Sequence, residues 1–215
     1  MRRLFTNWTA RNRHAKVLLV ALLLLLCAPG FERAAAKEGA GAGVFLAELT
    51  DRALTQLTEP GLGDAEQKLR FRTLLNEAFD LPAIGRFVLG RYWRRADVAQ
   101  RGDFLGAFED MMMHRFLPLF SQKSGEKFDI GPIRRYKNNP NFVSVESKLR
   151  RVEGEPIQVN WRVRKIGDTY KIVDIVAEGV SIAVTLRSEY VSVLKRNGGD
   201  VGALIRALRE MTKGL

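Results

Sequence analysis

Apolar positions follow two rhythms along this chain, and the rhythm changes near Lys127. Before that point the spacing is helical. Phe45, Leu49, Ala53 and Leu57 recur every four residues and Pro60-Gly61 ends the run; Leu69, Leu74, Leu75, Ala78 and Phe79 form a second run, closed by Asp80-Leu81-Pro82. A short third helix is predicted from Ala83 to Leu89. Asp97 is suited to cap the longest one, Val98 to about Phe120. Within it Pro118 lacks an amide hydrogen and crowds the carbonyl of His114, so the helix should kink or stop there.

After Lys127 the period is two. The strands read Phe128 and Ile130; then Val143, Val145 and Leu149; then Ile157, Val159, Trp161 and Val163; and last Tyr170, Ile172 and Val176. Turns fall at Asn138-Asn139-Pro140, Glu153-Gly154 and Gly167-Asp168. The third strand alternates most cleanly, with Gln158, Asn160, Arg162 and Arg164 between its apolar residues. The fourth runs through Glu178-Gly179 directly into a helix from Ser181 to Asn197, and Val201 to Thr212 follows as another. Helices, then an antiparallel meander with one apolar face, then helices again predict an α+β domain: a four-stranded sheet wrapped by about six or seven helices.

The N-terminal end reads differently. Arg2, Arg3, Arg11, Arg13 and Lys16 precede the apolar run Val17 to Leu26 and the small residues Ala34-Ala35-Ala36, the order of a secretory signal peptide over residues 1–36. The apolar run is about half the roughly 20 residues that a spanning helix needs. Residues 37–43, KEGAGAG, have the composition of a flexible linker, which leaves 44–215 as one domain. Residues 1–36 hold six basic residues, those five and Arg33, and the one acid Glu32. The mature chain therefore keeps 29 of the 35 basic and 23 of the 24 acidic residues, a net charge of +6 rather than +11. Cys27 leaves with the signal, so disulfides and thiolate chemistry are excluded from what remains.

Catalytic signatures are scarce. His114 is the one histidine of the mature chain, and no GxSxG, HExxH, CxxC or strand-to-helix GxGxxG is present. Asp110 and His114 share a helix face, but two ligands do not make a metal site, and none is predicted. Asp174 falls on the same strand face as Ile172 and Val176, which would place a carboxylate among apolar groups. It reads either as a structural acid paired with Arg187 of the next helix, or as a general base acting with Tyr170 or Tyr190.

The long helix carries Phe104, Leu105, Phe108, Met111, Met112, Met113 and Phe116, more apolar bulk than one buried stripe needs. Methionine's flexible thioether suits a surface that adapts to varied ligands. Arg91, Tyr92, Trp93, Arg94 and Arg95 form a basic cluster interleaved with aromatics. For an exported chain of modest charge it reads as a packed turn or as a lipid-pocket border, and nucleic acid is not expected.

Two stretches, FVLGRYWRRA at residues 87–96 and VDIVAEGVSIA at 173–183, resemble the signature of the MlaC/toluene-tolerance family of periplasmic phospholipid-binding proteins, auxiliary to an ABC transporter. The resemblance extends from about Val44 to Met211. It implies an NTF2-like cone around an apolar cavity, no catalysis and no cofactor. Carried onto this chain, the cavity wall is expected from Phe79, Ile84, Phe87, Val88, Tyr92, Phe104, Phe108, Met111, Met112, Phe116, Val145, Val159, Trp161, Val163, Ile172, Val176, Ile182 and Leu186. Arg91, Arg94 and Arg187 are expected at the head group or a partner. The implied partners are phospholipid, an inner-membrane ABC transporter with a substrate-capturing ring, and an outer-membrane lipoprotein complex. Many members carry Asn-Tyr-Arg where this chain has Thr185-Leu186-Arg187, which leaves the lipid open; a hopanoid or other polycyclic lipid is the alternative cargo. The rival from another class is an NTF2-like isomerase or dehydratase built on Asp174.

Overall fold

The structure, a computed structural model, describes residues 30–120 and 125–213. The chain divides at Glu38, and every contact given below lies within the compact unit Gly39–Leu215. The predicted signal segment lies outside the described residues up to position 29. No helix among the described residues is long and apolar enough to cross a membrane.

Six α-helices are described: α1 (Gly30–Leu57), α2 (Asp64–Ala78), α3 (Leu81–Leu89), α4 (Val98–Phe116), α5 (Ile182–Arg196) and α6 (Val201–Met211). The sheet has five strands in sequential antiparallel order: β1 (Lys127–Tyr136), β2 (Asn139–Arg150), β3 (Ile157–Ile166), β4 (Thr169–Ala177) and β5 (Val180–Ser181). The class is α+β, as expected, but the sheet has five strands where four were predicted. Glu178 (φ +48°) and Gly179 (φ +79°) account for the difference. Two consecutive left-handed residues make a tight hairpin turn, so the chain doubles back, pairs Ala177 with Val180 and Val176 with Ser181, and only then enters α5. A glutamate rarely adopts positive φ, and here it is held from both ends: its amide donates to the Gln158 carbonyl (3.0 Å) and its carboxylate accepts from the Gln158 amide (2.5 Å).

Helix α1 also departs from expectation, because it includes residues 37–43, which read as a linker. The small residues there serve close packing. A Cβ on Gly41 would lie 2.7 Å from the Tyr170 hydroxyl oxygen, and one on Gly43 would lie 2.9 Å from Ile133 Cδ1. Between and beyond them Ala42 and Leu46 are fully buried against Val143, Val145, Val159, Trp161, Val163 and Ile172. This is the first of two cores, with α1 laid on one sheet face; truncating Leu46 to Ala would cost about 2–5 kcal/mol.

The second core is helical, drawn from α2, α3, α4, α5 and α6, with Phe104, Phe108, Leu89 and Leu194 fully enclosed. Asp97 caps α4 with a reciprocal capping box, accepting from Gln100 N (2.8 Å) while its own amide donates to Gln100 Oε1 (3.2 Å). The helix ends at Phe116, and the 3₁₀ turn Leu117–Leu119 contains Pro118, where the sequence placed the stop. Leu49 and Phe79 touch both cores.

Candidate functional site

The site is organised by one extra residue in β4. Val163 pairs with Ile172 but Arg162 pairs with Asp174, so Val173 bulges out of the ladder. Side chains alternate faces along a strand, and the bulge resets that alternation. Ile172 lies on the α1 face with Val163, whereas Asp174 and Val176 lie on the opposite face with Arg162 and Asn160. The expectation that Ile172, Asp174 and Val176 share a face is therefore corrected.

The partner expected for Asp174 is corrected too. Its carboxylate accepts from Arg162 Nη1 (2.9 Å), the Ser181 hydroxyl (2.6 Å) and the Ala183 amide (2.9 Å). Ser181 in turn accepts from the Val184 amide as the cap of α5. The acid joins β3, β4 and the start of α5, and its oxygens are taken. Tyr170 sits on the other sheet face, 6.0 Å from the Phe45 ring. Tyr190 lies in the helical core, edge-on to Phe104 and Phe108, with its hydroxyl buried and without a hydrogen bond; burial pushes its pKa well above the usual tyrosine range. The acid-base set proposed around Asp174 is thus not assembled. Asp110 accepts instead from Arg72 (2.9 Å), and no group of three potential metal ligands occurs among the described residues.

Arg187, released from that role, crosses to α3. Its Nη1 donates to the Phe87 carbonyl (2.8 Å), one of the last-turn carbonyls that a helix leaves without an internal partner, and its guanidinium lies 4.9 Å from the Phe87 ring centroid. Gly90 makes the room: a Cβ there would be 2.8 Å from Arg187 Nη2. At the other end of α3, Asp80 caps the Ala83 amide (3.1 Å), takes an ion pair from Arg164 and donates its amide to Ile172 O (2.9 Å).

These ties leave two neighbouring depressions. A cavity of about 570 Å³ lies between α3, the start of α5 and the Arg162 face of the sheet, lined by Ala83, Ile84, Phe87, Tyr136, Phe142, Val173 and Ala183 with Asn139, Arg162, Arg164 and Asp174. A recess of about 520 Å³ is lined by Ala83, Arg86, Phe87, Gly90, Arg91, Trp93, Arg94 and Arg187. Ala83 and Phe87 belong to both. An apolar chamber beside a rim of arginines matches the chemistry of an amphiphile with an acidic head.

The residues predicted for the site separate into groups. Ile84 and Phe87 line the cavity, and Arg91, Arg94 and Arg187 come together around the recess. Val88, Tyr92, Phe104, Phe108, Met111, Met112 and Leu186 are buried in the helical core, with Phe79, Phe116 and Ile182 packed against it. Val145, Val159, Trp161, Val163 and Ile172 are buried in the sheet core. Val176 is half-buried beyond the bulge and belongs to neither. Tyr92 and Trp93 divide: Tyr92 is buried beneath the Arg91 and Arg95 guanidinia, while Trp93 faces the recess with Arg101 over its ring. The sequence reading missed Arg86, Arg162 and Phe142. Arg86 lies two residues after Ile84 in the fragment LPAIGRFVL, and its signal was its place five positions before Arg91.

Comparison with known proteins places the chain in a family. The model of the MlaC protein family matches residues 47–210, and the chain belongs to that family. It is 25% identical over 124 residues to the intermembrane phospholipid transport system binding protein MlaC of Haemophilus influenzae. That alignment covers 56% of this chain and 58% of the relative, so the chain spans little more than half the length of the curated relative it matches. The fold resembles that of a phospholipid-binding protein from Ralstonia solanacearum solved in complex with a phospholipid. That match has a TM-score of 0.66 and 23% identity, and it covers 80% of this chain and 96% of that one.

Proposed function

We propose that this protein is a periplasmic phospholipid carrier, exported by its N-terminal segment, that takes lipid from one membrane assembly and delivers it to another without altering it. The observation that carries the proposal is the shared wall at Ala83 and Phe87, which sets an apolar chamber directly beside an arginine rim. Acyl chains would occupy the chamber and the seam between helices and sheet, with Ile84 and Phe87 at the entrance and the methionines of α4 repacking behind them. The phosphate would remain at the rim with Arg91, Arg94 and Arg187. At about 0.8 kcal/mol per methylene, acyl chains cannot cross water unescorted at a useful rate, and burial in a protein lowers that barrier.

The names of its relatives support phospholipid as the cargo. Donor and acceptor are proposed to be an inner-membrane ABC transporter with a substrate-capturing ring and an outer-membrane lipoprotein complex. Catalysis is not part of the proposal, because every oxygen of Asp174 is engaged in holding the strand-to-helix junction. Native mass spectrometry of the exported protein, with lipid analysis of an organic extract, tests the proposal: one phospholipid per chain is expected, and a folded protein free of lipid would refute it.

A further inference from the structure

Many arginines among the described residues meet an acid. Arg52, Arg72, Arg115, Arg150, Arg162 and Arg209 each lie within ion-pair distance of a carboxylate. The recess beside α3 breaks that habit. Four arginines line it, Arg86, Arg91, Arg94 and Arg187, and no carboxylate does. Arg91 spends one N–H on the Tyr92 hydroxyl (3.0 Å) and Arg187 one on the Phe87 carbonyl (2.8 Å). A guanidinium has five donors, so both keep others free. The side chains of Arg86 and Arg94 have no ion pair or hydrogen bond among the described residues.

Like charges crowded without an acid repel one another, and an anion seated among them relieves that repulsion. Guanidinia match phosphate oxygens in a bidentate fork, which a point-charge ammonium does not. We infer that this recess sorts lipids by head-group charge, preferring phosphates with no balancing amine, of the phosphatidate, phosphatidylglycerol or cardiolipin kind, over zwitterionic phosphatidylethanolamine. The inference rests on the carrier reading above and deepens it. In a zwitterionic head the ammonium is tethered close to the phosphate and would enter a recess whose charged side chains are all cations, with the Phe87 ring already facing Arg187 and the Trp93 ring facing Arg101. No carboxylate there answers its charge, so the site works against that head group as well as for the other. Arg187 acts here as a positioning residue, clamped by the Phe87 carbonyl and lodged in the space that Gly90 leaves. Arg86 and Arg94 have no such duty and supply the selecting charge.

The test presents the purified full-length gene product, exported in a Gram-negative host, with vesicles of equimolar phosphatidylethanolamine and phosphatidylglycerol. Native mass spectrometry then counts each lipid per protein. Wild type is expected to favour phosphatidylglycerol about fivefold, the discrimination that roughly 1 kcal/mol provides. Arg86→Gln/Arg94→Gln is expected to load the two lipids at near parity, and Arg86→Lys/Arg94→Lys to fall between. A wild type that loads both lipids in the vesicle proportion overturns the inference and leaves the carrier reading intact. A wild type that takes neither lipid, and brings none from the host, removes the carrier reading itself. A parallel arm titrates inorganic phosphate and follows Trp93 emission. If phosphate binds while the two lipids load at parity, the recess is a site for the free ion and the inference falls.

Discussion

Arg187 occupies the volume that a side chain at position 90 would need: a Cβ on Gly90 would approach Arg187 Nη2 to 2.8 Å. The two residues come from the two stretches that mark the family, FVLGRYWRRA and the helix that follows VDIVAEGVSIA, and their contact is where those stretches meet in space. Gly90 also has φ +55°, ψ −121°, a combination that a residue with a side chain adopts only at a cost.

Gly90→Ala should therefore do two things at once. It strains the backbone by about 1–3 kcal/mol and displaces the guanidinium from the Phe87 carbonyl. Urea unfolding is expected to show the loss of stability, and the vesicle assay a weaker preference for the anionic lipid. An unchanged midpoint would contradict the packing described for this glycine.

Asp174→Asn retains the shape of the carboxylate but removes its charge and one acceptor. With Arg162, Ser181 and Ala183 all bonded to it, a loss of about 2–3 kcal/mol is expected from denaturant curves. Lipid per chain should stay at the wild-type value in the fraction that remains folded. A folded variant stripped of lipid would show that the acid serves the cargo rather than the junction.

Much of this was legible in the sequence, and the failures have physical causes. The switch from helical to strand spacing, the Asp97 cap and the stop at Pro118 depend on local chemistry, and all three occur where that chemistry placed them. The bulge at Val173 leaves no mark on composition, because one inserted residue changes the face of its successors without changing what they are. Asp174 was consequently assigned the wrong face and the wrong arginine. Glu178 gave no turn signal, since its left-handed conformation is held by Gln158, twenty positions earlier. The Asp80–Arg164 tie joins residues 84 apart, and the glycines of residues 37–43 look like a linker until the sheet they pack on is in view.

Tyr190→Phe removes a buried hydroxyl that has no hydrogen bond. The variant should be as stable as wild type at neutral pH, or more stable by about 1 kcal/mol. Burial raises the phenol's pKa in the folded state above the 10.0 of an unhindered tyrosine. The folded form thus holds its proton at a pH where the unfolded form has released it. That contribution to stability is intact below pH 10 and is lost as pH rises from there toward the folded-state value. Thermal unfolding at pH 9 through 11 should decline more steeply for wild type than for the variant, and parallel declines would refute this account.

Met112→Trp probes the helical core as the wall that yields to acyl chains. Methionine is buried there, and the larger ring is expected to cost about 1–3 kcal/mol in the lipid-free protein. Native mass spectrometry should find clearly less lipid per folded chain than in wild type. A folded variant with its full load would show that the chains lie elsewhere, on the Phe142 side of the chamber.

Phe87 has a last consequence, because one side chain borders both the chamber and the recess and carries Arg187 on its ring. Head and tails of a bound lipid would both press on the same ring. Their contributions to affinity then cannot be independent: shortening an acyl chain should alter how strongly the head group's charge is felt, and removing the charge should alter the chain length preferred. In a thermodynamic cycle that pairs lipid length with head-group type, the coupling energy would be non-zero in wild type and collapse in Phe87→Ala.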